Sequence, residues 1–147
     1  LQSVHNLDEK YKNLLCVSSK LHSIGSTLNF YKSNDNAFDY ILNGLSYDFL
    51  HTSRTIVAHT IKFSKKSLPT KSDIEKYENL LPDIEVLRWM SFMISLNLAI
   101  NLDYSRPKVN YTLEDDTLIL DLPNNSFLIQ SNIEKLETPK ELNIKIL

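Results

Sequence analysis

Histidine and carboxylate side chains are the groups in this sequence that could bind a metal ion. His51 and His59 are eight residues apart on a predicted helix. They therefore share a face but lie about 12 Å apart along the axis, too far to bind one ion together. The sequence predicts polar surface histidines at both positions. A single histidine such as His22 does not complete a catalytic metal site, because such a site needs several imidazole and carboxylate ligands. The simpler interpretation of His22 is a hydrogen-bonded histidine at a helix end.

Other residue types that carry chemistry are scarce. Cys16 is the single cysteine, and its neighbours Leu15 and Val17 on a helical pattern predict a buried, unreactive thiol in a reducing compartment. The two glycines, Gly25 and Gly44, are far apart. A P-loop and a dinucleotide fingerprint are excluded, because both need several closely spaced glycines.

Positive charge is concentrated in the stretch "KFSKKSLPTK", which contains Lys62, Lys65, Lys66 and Lys71, with Arg106 as another cation elsewhere. The stretch contains a proline and follows a predicted helix, so it reads as a helix end and a loop. Lysines are common at such places because they favour the negative end of the helix dipole and keep loops hydrated. The alternative is an anion-binding surface.

Length and charge set broad limits on the class of protein. The chain has 147 residues and a formal net charge of -2. One hydrophobic core is expected at this length, and the charge gives no general reason to bind nucleic acid.

The most apolar segment, residues 84–102, is interrupted by charged and amide side chains, so a buried helix is expected rather than a membrane span. The first residue is leucine and no signal peptide is visible, which predicts a piece of a longer cytoplasmic chain.

Helical periodicity dominates the first part of the chain. One helix is predicted over residues 6–24, with Gly25 as the glycine after its end, and a second from residues 34–36 to Gly44. Ser46 is expected to cap a third helix. Its predicted inner face consists of Phe49, Leu50, Ile56, Val57 and Ile61.

Two further helices are predicted before the pattern changes. Ser72 and Glu75 have the spacing of a capping box, which predicts a short helix to about Leu80. Pro82 is expected in the first turn of the long apolar helix, which would end near Tyr104.

After Pro107 the period becomes alternating, as in β-strands. Residues 109–113 and 118–122 predict a hairpin with its turn at residues 114–116, and "SFLIQSNIEKL" and "ELNIKIL" predict one more helix and strand. We expect a mainly α fold followed by a small antiparallel β-sheet with one helix.

Five stretches occur in the order and roughly the spacing of one family. They are "LHSIGSTLNF", "NAFDYILNG", "KFSKKSLP", "LNLAINLDYSR" and "DDTLILDLP". Over residues 21–123 the sequence resembles the C-terminal region of the Ppx/GppA phosphatases, the exopolyphosphatases and guanosine pentaphosphate phosphohydrolases. The resemblance implies an HD-like helical domain over residues 1–106, with a small α+β subdomain over residues 107–147 packed on it.

The resemblance also implies that an HD-type metal site is degenerate here. His22 keeps the histidine, but Ser23 replaces the aspartate that follows it, and Asn34 and Asn36 replace imidazoles. Where the family tends to show Tyr-His-Arg-Lys, this chain has Phe-Ser-Lys-Lys, with Ser64 in place of the histidine. We therefore expect no catalytic residue and no metal site, with His22 and Asp103 as vestigial positions.

The implied function is that of a non-catalytic C-terminal domain. The parent enzyme would hydrolyse polyphosphate or guanosine pentaphosphate in two actin-like domains that precede this one and hold a divalent cation such as Mg²⁺. This domain would extend a basic channel for the polyanion, dimerise, or both, and the four lysines and Arg106 would bind the anion. No cofactor, nucleic acid or membrane is expected. The alternatives are an HD-type metal-dependent phosphohydrolase with altered ligands and a helical module that binds proteins only.

Overall fold

The computed structural model of this chain describes residues 5, 7–45, 49–101, 107–123 and 126–147. Among these residues, no helix is long and apolar enough to cross a membrane. Among the elements that the structure describes, the α-helices before the sheet are α1 Glu9–Leu21, α2 Ser33–Gly44, α3 His51–Lys62, α4 Lys71–Ile74 and α5 Ile84–Ile100. Short 3-10 helices occupy Ile24–Thr27, Phe30–Lys32 and Glu75–Leu80.

The first helix is shorter than predicted, and Gly25 has a different role from the one expected. Gly25 does not take a positive φ angle, as a glycine that ends a helix in the left-handed conformation would. It is buried, and a Cβ there would collide with the backbone carbonyl of Ser33 and lie 2.5 Å from the backbone nitrogen of Ala37. Glycine is therefore required because the start of α2 packs directly onto this backbone.

The helix starts also differ in detail from the predictions. The capping box of α4 is formed by Thr70 and Asp73, not by Ser72 and Glu75. The carboxylate of Asp83 caps α5 by accepting from the backbone N–H of Glu85 at 2.8 Å, so Pro82 precedes this helix. Leu50 takes the N-cap position of α3. The predicted cap Ser46 and the predicted helix end near Tyr104 lie outside the described residues.

The third helix is buried along most of its length because α1, α2 and α5 all pack against it. Ile56, Val57 and Ile61 are buried, as predicted. Phe49 is half-buried, and Leu50 is wrongly predicted, since its side chain is 77% exposed. A residue at an N-cap precedes the first turn, so the helical pattern does not fix where its side chain points.

The C-terminal part contains β1 Asn110–Glu114, β2 Thr117–Asp121, α6 Phe127–Ile133 and β3 Asn143–Ile146. The strands are ordered β1-β2-β3. The hairpin is antiparallel as predicted, but β3 pairs with β2 in parallel, so the sheet is mixed. The long connection through α6 returns the chain to the same end of the sheet, which is how parallel neighbours are joined. The mainly helical fold, followed by a small sheet with one helix, is confirmed.

One hydrophobic cluster joins the helices to the sheet. Trp89 and Phe92 of α5 and Ile133 of α6 belong to it together with Leu118 and Leu120 of β2. Burial of these side chains is the main favourable contribution to packing the C-terminal part on the helical part. A second cluster lies between α2 and α3 and contains Ala37, Phe38, Ile41, Val57, Ala58 and Ile61.

Candidate functional site

The C-terminal end of α3 is the place where two of the predicted site positions, Asn34 and Ser64, meet. The last carbonyl groups of a helix lack partners within the helix and need donors from elsewhere. The side-chain amide of Asn34 on α2 donates to the carbonyl of Ile61 at 2.7 Å and to that of Ser64 at 2.9 Å. Asn34 therefore bonds to backbone groups about thirty residues further along the chain, and it ties α2 to this helix end.

Serine hydroxyls supply the other donors at the same helix end. Ser64 donates to the carbonyl of Thr60 at 2.6 Å, and Ser91 of α5 approaches the same carbonyl at 3.3 Å. Ser95 donates to the carbonyl of Lys65 at 3.0 Å. We call Asn34, Ser64, Ser91 and Ser95 the α3 cap. It joins α2, α3 and α5 by hydrogen bonds from neutral side chains.

The chemistry of the α3 cap does not fit a divalent metal ion. Its amide and hydroxyl groups are neutral and supply no charge to balance that of the ion, whereas divalent metal sites in proteins use carboxylate, imidazole or thiolate ligands. The remaining Asn34 atom, Oδ1, lies 3.3 Å from the hydroxyl of Ser33 and can accept from it. In the described ranges, no group of three or more His, Cys, Asp or Glu residues is placed to hold an ion.

His22 has the local role that was its simpler interpretation. Its Nδ1 lies 2.6 Å from the carbonyl oxygen of Ser19, one turn earlier at the end of α1. Ser23 is exposed beside it, and the amide of Asn36 is 3.5 Å from the carbonyl of Gly25. Asp103 lies outside the described residues, so the structure does not place the second vestigial position.

His59 corrects the prediction of a surface histidine, whereas His51 is exposed as predicted. The His59 side chain is 1% exposed and packs edge-on against Phe38 and Tyr77, with ring centroids 4.9 and 4.6 Å away. Its Nδ1 lies 2.8 Å from the carbonyl oxygen of Thr55. Burial lowers the pKa of His59, the Thr55 carbonyl partly opposes this, and the charge of Lys62 adds to the lowering.

Cys16 is also placed differently from the prediction, since its thiol is free and exposed. Leu14, Val17 and Leu21 of α1 contact the hydrophobic clusters. They recur at three- and four-residue steps and so define the inner face of the helix. Cys16 falls on another face, although both of its neighbours in sequence are apolar.

The four predicted anion-binding lysines differ in their surroundings. Lys62 lies with its Nζ 4.3 Å from the ring centroid of Phe38, and Lys65 pairs with Asp35 at 3.5 Å. Lys66 and Lys71 are exposed, and neither has a carboxylate within ion-pair distance in the described part of the chain. Arg106 is outside the described residues. Two of the lysines therefore remain available for an external anion.

The backbone of residues 62–71, which we call the lysine segment, is held in place by two residues that no sequence pattern indicated. Glu137 accepts from the backbone N–H of Leu68 at 2.8 Å, and its own N–H donates to the carbonyl of Lys66 at 2.8 Å. Arg88 donates to the carbonyl of Pro69 at 2.9 Å. Both residues are far away in sequence, so only the tertiary structure could reveal these bonds.

One carboxylate close to the lysine segment is held in its charged form. Asp73 accepts hydrogen bonds from the hydroxyl and backbone N–H of Thr70, at 2.7 and 2.8 Å. These bonds, with a smaller effect from the charge of Lys62, lower the pKa of Asp73. The negative charge lies at the N-terminus of α4, so it offsets part of the positive charge at that end of the segment.

Comparison with known proteins adds no family to these observations. No protein-family model matches the sequence. A search of curated proteins likewise found no match.

Proposed function

We propose that this chain is a non-catalytic C-terminal domain of a Ppx/GppA-type phosphatase acting in the cytoplasm, and that its part is to bind the polyanionic substrate. The observation that carries the proposal is the hydrogen bond from the side-chain amide of Asn34 to the backbone carbonyl of Ser64. It joins two positions at which the family resemblance implies histidines. In this chain they hold a helix end together. A domain that keeps an HD-like fold, but in which the positions of the metal ligands make hydrogen bonds within the protein, is suited to binding rather than hydrolysis.

The lysine segment is the surface that we assign to polyphosphate. Lys66 and Lys71 are exposed, and the segment's backbone is fixed by Glu137 and Arg88. A fixed backbone lowers the entropy lost when the anion binds. Ammonium groups suit a repeating, flexible polyanion because they act as point charges without directional demands. The remaining partners in this proposal are the preceding actin-like domains, which hold Mg²⁺, and a second copy of the enzyme.

A titration with long-chain polyphosphate at several salt concentrations tests the proposal. Binding should weaken steeply as salt rises, because each phosphate contact releases counterions. Changing Lys66→Glu and Lys71→Glu together should weaken binding by about tenfold or more at low salt. The matched control changes the exposed Lys140→Glu and Lys145→Glu, which alters net charge equally and should shift affinity less than about twofold.

The proposal fails if the wild-type chain does not bind polyphosphate. It also fails if the two double variants lose affinity equally, since binding would then follow net charge and not the lysine segment.

A further inference from the structure

The strand β1 leaves one edge of the sheet open. In the described part of the chain it pairs with β2 alone. Glu114 and Thr117 flank a two-residue turn and therefore form a hydrogen-bonded pair, in which both backbones face each other. Because this facing alternates along a strand, the backbone groups of Asn110 and Thr112 also point toward β2. Those of Tyr111 and Leu113 point away from the sheet.

Hydrogen bonds on the other side of β2 confirm this assignment. The carbonyl of Asp116 accepts from Asn143 at 2.8 Å, and the carbonyl of Leu120 accepts from Leu147 at 2.9 Å. Even-numbered residues of β2 thus face β3, and its odd-numbered residues face β1. Among the described residues, no strand pairs with the outward N–H and C=O groups of β1, so they form a template for another strand.

The side chains of β1 leave an apolar surface at the same edge. Tyr111 is 57% exposed, although its partner Leu120 on β2 is fully buried. Val109 and Leu113 lie on the same face of β1 as Tyr111. Both are partly buried against the hydrophobic cluster that joins the helices to the sheet. The hydrophobic face of the sheet therefore extends past the described residues that cover it.

The sequence of this edge is complementary to itself. If two copies of residues 108–114 pair in antiparallel fashion about Tyr111, Lys108 stands opposite Glu114 and Val109 opposite Leu113. Asn110 then faces Thr112, and the two Tyr111 side chains are neighbours. The pairs that need hydrogen bonds, Tyr111 with itself and Val109 with Leu113, are the ones whose backbone groups point outward. A register centred one residue later would place Val109 opposite the carboxylate of Asp115.

We propose that β1 pairs with β1 of a second copy of this chain, with the two-fold axis at Tyr111, so that the two sheets become one continuous sheet. An isologous contact of this kind satisfies the open edge in both copies at once. The apolar faces of both sheets lie on the same side, so each Tyr111 covers the other. This surface does not include the lysine segment, and the inference does not depend on polyphosphate binding.

Sedimentation equilibrium of the full chain with charge-reversed variants tests the pairing and its register. The wild-type chain should dimerise at a micromolar to submillimolar dissociation constant, as expected for a small interface. Lys108→Glu or Glu114→Lys alone sets like charges opposite each other twice per dimer and should raise that constant by about tenfold at low salt. The double variant should recover most of the loss. Lys140→Glu is the control for net charge and should leave the constant unchanged.

Tyr111→Pro provides a second variant. It removes an N–H that points away from β2, so the hairpin keeps its bonds while the intermolecular ladder loses a central one. Thermal unfolding followed by circular dichroism verifies that this variant is folded. A chain that remains monomeric up to about 1 mM would overturn the inference. So would a dimer whose dissociation constant in both single charge reversals is the same as in the wild-type chain.

Discussion

The side-chain amide of Asn34 on α2 lies 2.9 Å from the carbonyl oxygen of Ser64, just beyond the end of α3. The two residues are separated by thirty positions in the sequence. A second bond from the same amide, to Ile61, makes Asn34 the residue that joins the start of one helix to the end of another. The family resemblance implies a histidine at both positions. In this chain the residues at these positions make hydrogen bonds within the fold.

Loss of the Asn34 donor is expected to destabilise the chain. Asn34→Asp keeps the shape of the side chain but places a carboxylate against two carbonyl oxygens at the negative end of α3. We expect a loss of about 1 to 3 kcal/mol in the free energy of unfolding, measured with urea at neutral pH. Asn36→Asp is the matched control, because its amide makes only 3.5 Å contacts, and it should change stability by less than about 0.5 kcal/mol. Equal effects in the two variants would contradict the assigned role of Asn34.

Burial of His59 is expected to make the stability depend on pH. Its pKa in the folded chain lies below the ordinary value of 6.5, so the unfolded chain takes up the proton first. Stability is then fully present above 6.5 and falls on acidification, by up to about 1.4 kcal/mol per pH unit until the folded pKa is reached. His5, whose pKa is also lowered by burial, contributes in the same direction.

Urea denaturation between pH 7.5 and about 5 measures this dependence. His59→Gln should reduce the slope of stability against pH, and His59→Gln with His5→Gln should reduce it further. An unchanged slope in His59→Gln would show that the histidine is not protected from protonation by the fold.

Trp89 is expected to be a main contributor to the core shared by the helices and the sheet. It is 7% exposed and packs edge-on against Phe92, with ring centroids 6.2 Å apart. Trp89→Ala should cost about 3 to 5 kcal/mol, seen as a large fall in the melting temperature. Phe127→Ala removes an aromatic ring that is 77% exposed and should be nearly silent. A silent Trp89→Ala would mean that the core is misplaced.

The exposed thiol of Cys16 gives a chemical test of the orientation of α1. Ellman's reagent should modify one thiol per chain under native conditions, at a rate close to that in denaturant. A reaction rate about a hundredfold or more below that in denaturant would instead support the buried cysteine that its apolar neighbours predict.

Local patterns predicted the helices and strands because their inner faces repeat at the helical or strand period, as Val57 and Ile61 do. The burial of His59 was not predicted because α3 packs against three other helices. Polar positions that would be exposed on an amphipathic surface helix are therefore buried here. The antiparallel direction predicted for β3 was wrong for a related reason. The direction of its pairing depends on the path of the connection through α6, not on the residues of the strand itself.

The residues singled out in the sequence differ in how far their surroundings could be predicted. His22 lies at a helix end with a local bond, as its simpler interpretation required. The bonds of Asn34 to α3 and of Glu137 to the lysine segment were not predictable, because each joins residues that only the folded chain brings together. A single sequence contains no signal for such pairs.

The most direct experiment measures the metal content and the phosphate release of the purified chain. It tests whether this chain has a hydrolytic centre of its own. The chain should be incubated with manganese, nickel or zinc, desalted, counted for metal by mass spectrometry and assayed on polyphosphate. We expect less than about a tenth of an ion per chain and no phosphate release above the background. About one or two ions per chain, with activity that is lost in His22→Ala, would contradict the claim and establish a working metal centre.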